Sequence, residues 1–230
     1  MVRLLVHVEG ETEETFVAEV LAPHLYGLGG FEMVTPRLLG NARLRSKRRG
    51  IKGWDSSRED ILKHLKRDRE VYSTTMVDYY ALPDTGNRAW PGRAEASALP
   101  FPQKAPTVQD ALLADIANRM GWDNETGRFI PYVMMHEFEG LLFSDCDAFA
   151  DAIGLEDLAS DFQSIRDGFS TPEEINDSPI TAPSKRIVGL VPNYQKPFMG
   201  NLAAFEIGLD RIREECPLFD GWVASLEDLV

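Results

Sequence analysis

The sequence predicts an α/β fold: a mainly parallel sheet of about four strands, helices on both of its faces, and a helical C-terminal stretch. Three observations predict it. Short apolar runs of strand length alternate with segments of helical periodicity, the pattern of right-handed βαβ crossovers. The runs are nearly continuous in apolar residues, as expected of strands covered on both faces. Beyond Asp147 the chain reads as mainly helical, broken into short pieces by Pro172, Pro179, Pro183, Pro192 and Pro197.

Leu4 to Val8 (LLVHV) is the first strand. A helix follows at once, with Thr12 as its expected cap, acids in its first turn, and Phe16, Val17, Val20, Leu21 and Leu25 at helical spacing before Gly27 to Gly30. Met33 to Leu39 predicts a second strand. Ser56 or Ser57 is expected to cap a basic amphipathic helix carrying Ile61, Leu62 and Leu65, and Val71 to Tyr80, rich in β-branched and aromatic residues, predicts a third strand. Leu82 to Pro106, with five prolines, reads as a long loop or lid, and Thr107 as the cap of the helix that follows. Phe129 to Met135 predicts a fourth strand running into HEFEGLLFSD. No repeat or low-complexity linker divides the 230 residues, which read as one domain: a core of about 1–147 and a helical extension of about 148–230.

Composition excludes several classes. Hydrophobic residues at 43% and charged residues at 27% exclude a disordered or collagen-like chain. No apolar run reaches membrane-spanning length and the opening run stops at Glu9, so neither a span nor a signal peptide is expected and the protein is expected in the cytoplasm. Cys146 and Cys216 have no metal or redox spacing. The net charge of −13 argues against a simple nucleic-acid coat, but it hides an asymmetry. Arg37 to Arg69 holds twelve bases against four acids, a balance of +8 that leaves −21 for the remainder. Within it Arg43, Arg45, Lys47, Arg48, Arg49 and Lys52 form an acid-free run able to lie along a phosphate backbone or simply to be solvated.

Ligands of open parallel sheets bind at the carboxyl ends of the strands, so the residues there are the candidates for chemistry. Three strands finish on acids: Glu9 with Glu13 four residues on, Asp78, and Glu137 with Glu139. If these five converge, they repel one another unless cations balance them, and hard oxygen ligands suit Mg²⁺ or Mn²⁺. The plainer reading gives Glu13 to the helix dipole and Asp78 to a turn. His136 abuts the acids, as a ligand or as a backbone partner. Ser184, Lys185 and Arg186 open an apolar helix, where two cations beside an N-terminus suggest an anion contact or a countercharge to the acids.

VEGETEE after the opening strand, TTMVDYYALP, HEFEGLLFSD and INDSPITAPSKR together resemble the domain-of-unknown-function family 4276, bacterial proteins similar to the Toprim domains of OLD-type nucleases. The likeness spans almost the whole chain. It implies a Toprim-like Rossmannoid core in which Glu9 and Glu13 correspond to the metal-binding glutamates and Asp78 to the first position of a D-x-D motif. Tyr80 stands where the second aspartate would be, so a second metal would be lost, weakened or held by Glu137, Glu139 or Asp145. Lys185 is similar to the lysine such nucleases place near the scissile phosphate. The resemblance also implies a separately encoded AAA- or ABC-type ATPase partner and defence against mobile DNA. This chain carries no P-loop motif of its own.

The expectation is a Mg²⁺-dependent nuclease. Glu9, Glu13 and Asp78 would hold the principal metal and Glu137 and Glu139 a second one; Lys185 and Arg186 would face the phosphate. Two alternatives stay open: a non-catalytic docking subunit of an ATPase, which Tyr80 favours, and a metal-dependent nucleotide phosphohydrolase, which needs no basic loop. DNA or RNA as substrate, and the oligomeric state, are left open.

Overall fold

The computed structural model describes residues 1–39, 51, 53–122, 127–176 and 178–230. Among these the chain is α/β, as expected. The strands are β1 (Val2–Val8), β2 (Phe31–Leu38), β3 (Val71–Asp78), β4 (Phe129–Ile130) and β5 (Val133–Met134). They run parallel in the order β2-β1-β3-β4, with β5 pairing the upper end of β3. The fourth strand expected from the sequence is thus two short pieces. Pro131 lies between them, and proline has no N–H to give to a ladder.

The helices are α1 (Glu11–Phe16), α2 (Ala22–Gly27), α3 (Trp54–Arg67), α4 (Arg93–Ser97), α5 (Phe101–Met120), α6 (Phe138–Leu141), α7 (Cys146–Ala152), α8 (Ala159–Arg166), α9 (Pro183–Leu190), α10 (Asn201–Ile207), α11 (Leu209–Glu215) and α12 (Pro217–Glu227). A π-helical turn, Val17–Leu21, joins α1 to α2. Period-two alternation in the central strands sends side chains into two separate cores. Leu4, Val6, Val8 and Met76 pack with Phe16, Leu25, Phe219 and Trp222 on one face; Leu5 and Val77 pack with Ile61, Leu65, Leu112 and Ile116 on the other.

The first face depends on the C-terminal helices. Trp222 of α12 stacks on Tyr132 with ring centroids 4.4 Å apart, and its indole N–H donates to Thr74 Oγ1 at 2.8 Å. The buried Glu173 carboxylate accepts the Leu218 and Phe219 N–H groups, each at 2.9 Å, at the start of α12. The first contact ties α12 to the sheet, and the second ties its start to the turn that holds Glu173.

Three helix starts differ from the sequence expectation, and in each case packing moved the boundary. α1 is capped by Gly10 rather than Thr12, which is buried inside the helix. α3 begins at Trp54, ahead of Ser56 and Ser57, because Trp54 is anchored: its ring lies 4.9 Å from Trp90 and its N–H donates to Asp115 Oδ2 at 2.8 Å. α5 begins at Phe101, with Pro106 inside it, and Thr107 donates its hydroxyl back to Gln103 O at 2.8 Å instead of capping. The expected loop from Leu82 to Pro106 therefore contains a 3₁₀ turn (Gly86–Arg88), α4 and the first six residues of α5.

Candidate active site

The carboxyl edge of the sheet gathers the acids. Glu9 follows the end of β1, and Gly10 then caps α1 from an extended backbone. Glu13, at the third helical position, swings back so that its Oε2 accepts the Gly10 N–H at 3.0 Å. A Cβ at position 10 would stand 3.2 Å from that oxygen, so glycine leaves the carboxylate room to approach.

β3 delivers Asp78. Its Oδ1 accepts the Phe138 N–H at 3.0 Å, Met134 of β5 is its register partner, and Tyr80 N–H donates to His136 O at 3.0 Å. These links bring the segment with Glu137 and Glu139 against the end of β3. Glu137 points its Oε2 at the first turn of α9, where it accepts the Ser184 N–H at 2.9 Å. The anion at that helix N-terminus is therefore the chain's own carboxylate, a placement the dipole favours. Glu139, within α6, is completely buried.

A cation stands among them that the sequence reading passed over. Lys196 Nζ lies 2.9 Å from Glu139 Oε2, 3.4 Å from Asp78 Oδ2 and 4.0 Å from Glu13 Oε1. It enters on a π-helical turn, Lys196–Gly200, just ahead of α10. Tyr194, two residues before it, is half-buried, and its shielded hydroxyl has no hydrogen-bond partner among the described residues.

The electrostatics follow from burial. Desolvation disfavours each carboxylate's charged form, raising Glu9, Glu13 and Glu139 above the ordinary range and pushing Asp78 up to about 7. Neighbouring carboxylates add to this: Asp78 and Glu13 on Glu9, and Glu13 and Glu137 on Asp78. Burial acts downward on Lys196, but Asp78, Glu139 and Glu13 outweigh it and hold the ammonium protonated.

The five predicted carboxylates thus share one pocket, from three separate segments. Lys185 does not share it: its side chain is exposed, and the ammonium touching the carboxylates belongs to Lys196. Arg186 is engaged elsewhere, donating from Nε to Thr181 O at 2.8 Å with its guanidinium 5.2 Å from the Phe169 ring centroid. His136 is held by backbone, Nδ1 lying 2.8 Å from Ile175 O. Asp145 caps α7 by accepting the Ala148 N–H at 2.9 Å. Arg43, Arg45, Lys47, Arg48, Arg49 and Lys52 lie outside the described residues.

Does the pocket suit a divalent ion? Its donors are all carboxylate oxygens, the set that hard cations take. Glu9 Oε2 and Glu139 Oε1 are buried and have no hydrogen-bond partner among the described residues. Five acids against one lysine also leave a surplus of negative charge whenever they are ionised. The spacing, by contrast, suits the ammonium: among the described residues no three Asp, Glu, His or Cys side chains stand as a ready ligand group. The donor chemistry fits a metal, and Lys196 sits where its charge would act.

A family model described as Domain of unknown function (DUF4276) matches residues 8–227. No curated protein and no solved structure matches the chain.

Proposed function

For this chain, which belongs to the DUF4276 family, we propose a Mg²⁺- or Mn²⁺-dependent nuclease that hydrolyses phosphodiesters of DNA or RNA. One observation carries the reading. Five carboxylates converge at the carboxyl edge of a parallel sheet, where such folds bind ligands, and one resident cation offsets them. Glu9, Glu13, Asp78 and Glu139 would hold the metal, which supplies an activated water and charge neutralisation at phosphate.

The chain's own residues do the rest. The amides of Gly10, Phe138 and Ser184 hold the carboxylates of Glu13, Asp78 and Glu137 in fixed orientations, so little reorganisation is needed when charge arrives. Lys196 presents an ammonium on a side chain about a third open to solvent, placed to exchange the acids for a phosphate oxygen. It takes the part first expected of Lys185. A separately encoded ATPase partner and a role against mobile DNA belong to the same proposal and rest on the family resemblance alone.

The test is cleavage of single- and double-stranded DNA and RNA in Mg²⁺ by the wild type and by Asp78→Asn. Loss of at least 10²-fold in the variant supports the reading, on the scale typical of removing one preorganised electrostatic group. Equal rates would sink it. The docking-subunit reading has its own support, since Lys196 already neutralises part of the cluster and no ready ligand group is present among the described residues. Calorimetric titration with Mn²⁺ separates the two, because a docking subunit gives no heat that Asp78→Asn removes.

A further inference from the structure

We propose a phosphate-binding cleft on the flank of α3, built by Arg37, His64 and Arg67, that holds the substrate's polynucleotide backbone away from the carboxylates. The cleft lies between β2 and the C-terminal half of α3. Leu5 and Met33 form part of its apolar floor, and Arg37, His64, Arg67 and Asp68 supply its polar wall. The arginines are exposed and His64 is half-buried.

Basic residues in the last turn of a helix usually answer its dipole, and His64, Lys66 and Arg67 stand in that turn. Arg37 is not on that helix. It comes from the neighbouring edge strand and adds its charge to the same spot, where burial first, and then Arg37, Lys63 and Arg67, work against protonation of His64. Among the described residues no salt bridge is formed by Arg37, Lys63 or Arg67. Asp60 opposes them from α3. Asp68, the acid in the wall, is committed to Arg3 at 2.9 Å and to the Glu70 N–H at 3.0 Å. An anion is the missing partner of this site.

Two buried nitrogens point the same way. The His64 ring packs 5.4 Å from that of His7, and the Nδ1 atoms of both rings are shielded from solvent with no hydrogen-bond partner among the described residues. An anion in the cleft would favour a proton on His64 and give its ring a charged acceptor.

Position selects the ligand. Arg37 is paired in register with His7, two residues before Glu9 on β1, and Met33 and Val71 are paired with Arg3, six residues before it, so the cleft runs from about 7 Å to about 20 Å behind Glu9 along the strand. A backbone leaving the carboxylates over the β2 edge therefore meets the cleft within a short distance. A polynucleotide places several phosphates along that path, whereas a mononucleotide seated at the carboxylates does not reach it. The choice of polynucleotide rests on the nuclease reading, whereas the anion site itself does not.

The experiment is fluorescence anisotropy of a labelled oligonucleotide in EDTA, where no metal-dependent cleavage interferes, across a salt series. The Arg37→Gln/Arg67→Gln double variant should bind on the order of tenfold more weakly at low salt. Its slope of log K against log salt should fall by roughly 1.5, for two lost phosphate contacts. Thermal unfolding first establishes that the variant is folded. Unchanged affinity and slope would overturn the cleft. Inorganic phosphate is the second arm: if it binds wild type as tightly as the oligonucleotide does and the variant loses both, the backbone assignment is overturned in favour of a free anion. Because binding is read without metal, a failure here is distinct from failure of Asp78→Asn to slow cleavage.

Discussion

The carboxylate pocket and the α3 flank are both charged, yet they are built in opposite ways. In the pocket the charges are buried, of one sign, and held by backbone amides and a single lysine. On the flank they are exposed cations with no acid paired to Arg37 or Arg67 among the described residues. Buried charges act strongly on one another because little water screens them, so their protonation and the fold's stability are linked. Exposed charges contribute little to the fold and remain available to an outside partner. The first arrangement suits chemistry and the second suits attraction.

The largest expected effect tests the buried side. Lys196→Met leaves Glu139, Asp78 and Glu13 without their cation, and breaking a buried ion pair by removing one partner costs about 3 kcal/mol when the lysine is partly exposed. Urea unfolding at neutral pH measures it. Addition of Mn²⁺ should recover part of the loss if the carboxylates accept a divalent ion, and a variant as stable as wild type would show that the ammonium is not needed there.

Another buried acid, outside the pocket, adds a pH dependence of its own. Burial raises Glu173 from 4.5 to about 7 even though two amides stabilise its charged form. The folded state therefore holds this proton more tightly than the unfolded chain. The stabilisation is fully present below about 4.5 and is lost as pH rises through about 7, a swing of about 3 kcal/mol. Tm followed from about pH 4 to about pH 8 should fall more steeply for wild type than for Glu173→Gln. Parallel curves would contradict this account of the α12 cap.

The smallest effect sharpens the contrast. Arg37→Gln/Arg67→Gln should change unfolding free energy by no more than about 0.5 kcal/mol, as surface substitutions do. A larger loss would mean that the flank is structural, and the division between the two regions would then fail.

Much of the fold was legible because the local pattern and the tertiary solution agree. The run LLVHV became a buried strand, the residues from Val71 to Asp78 another, and each acid at a strand end could be found by asking where the apolar run stops. The pocket was legible for the same reason: in a parallel sheet all strand ends point one way, so acids that terminate strands must meet. Family membership agrees with the motifs read along the chain.

Other features had no local signal. Lys196 lies 118 residues from Asp78, in a stretch whose most visible feature is Pro192 and Pro197, and nothing nearby in sequence marks its ammonium as buried among acids. Lys185, in a clear helix-start pattern, drew the assignment instead, whereas that helix start receives Glu137. The helix boundaries at Gly10, Trp54 and Phe101 were set by packing and by a carboxylate reaching back, which override cap propensities worth about 1 kcal/mol.

By itself the sequence determined the periodicities, the fold class and the acids at the strand ends, since these depend on short-range pattern and on the direction of parallel strands. Only the tertiary structure decided which cation meets those acids, which amides hold them and that Arg37 shares a cleft with His64 and Arg67. Such contacts join residues far apart in the chain, and their energies depend on burial and distance, which exist only once the chain has folded.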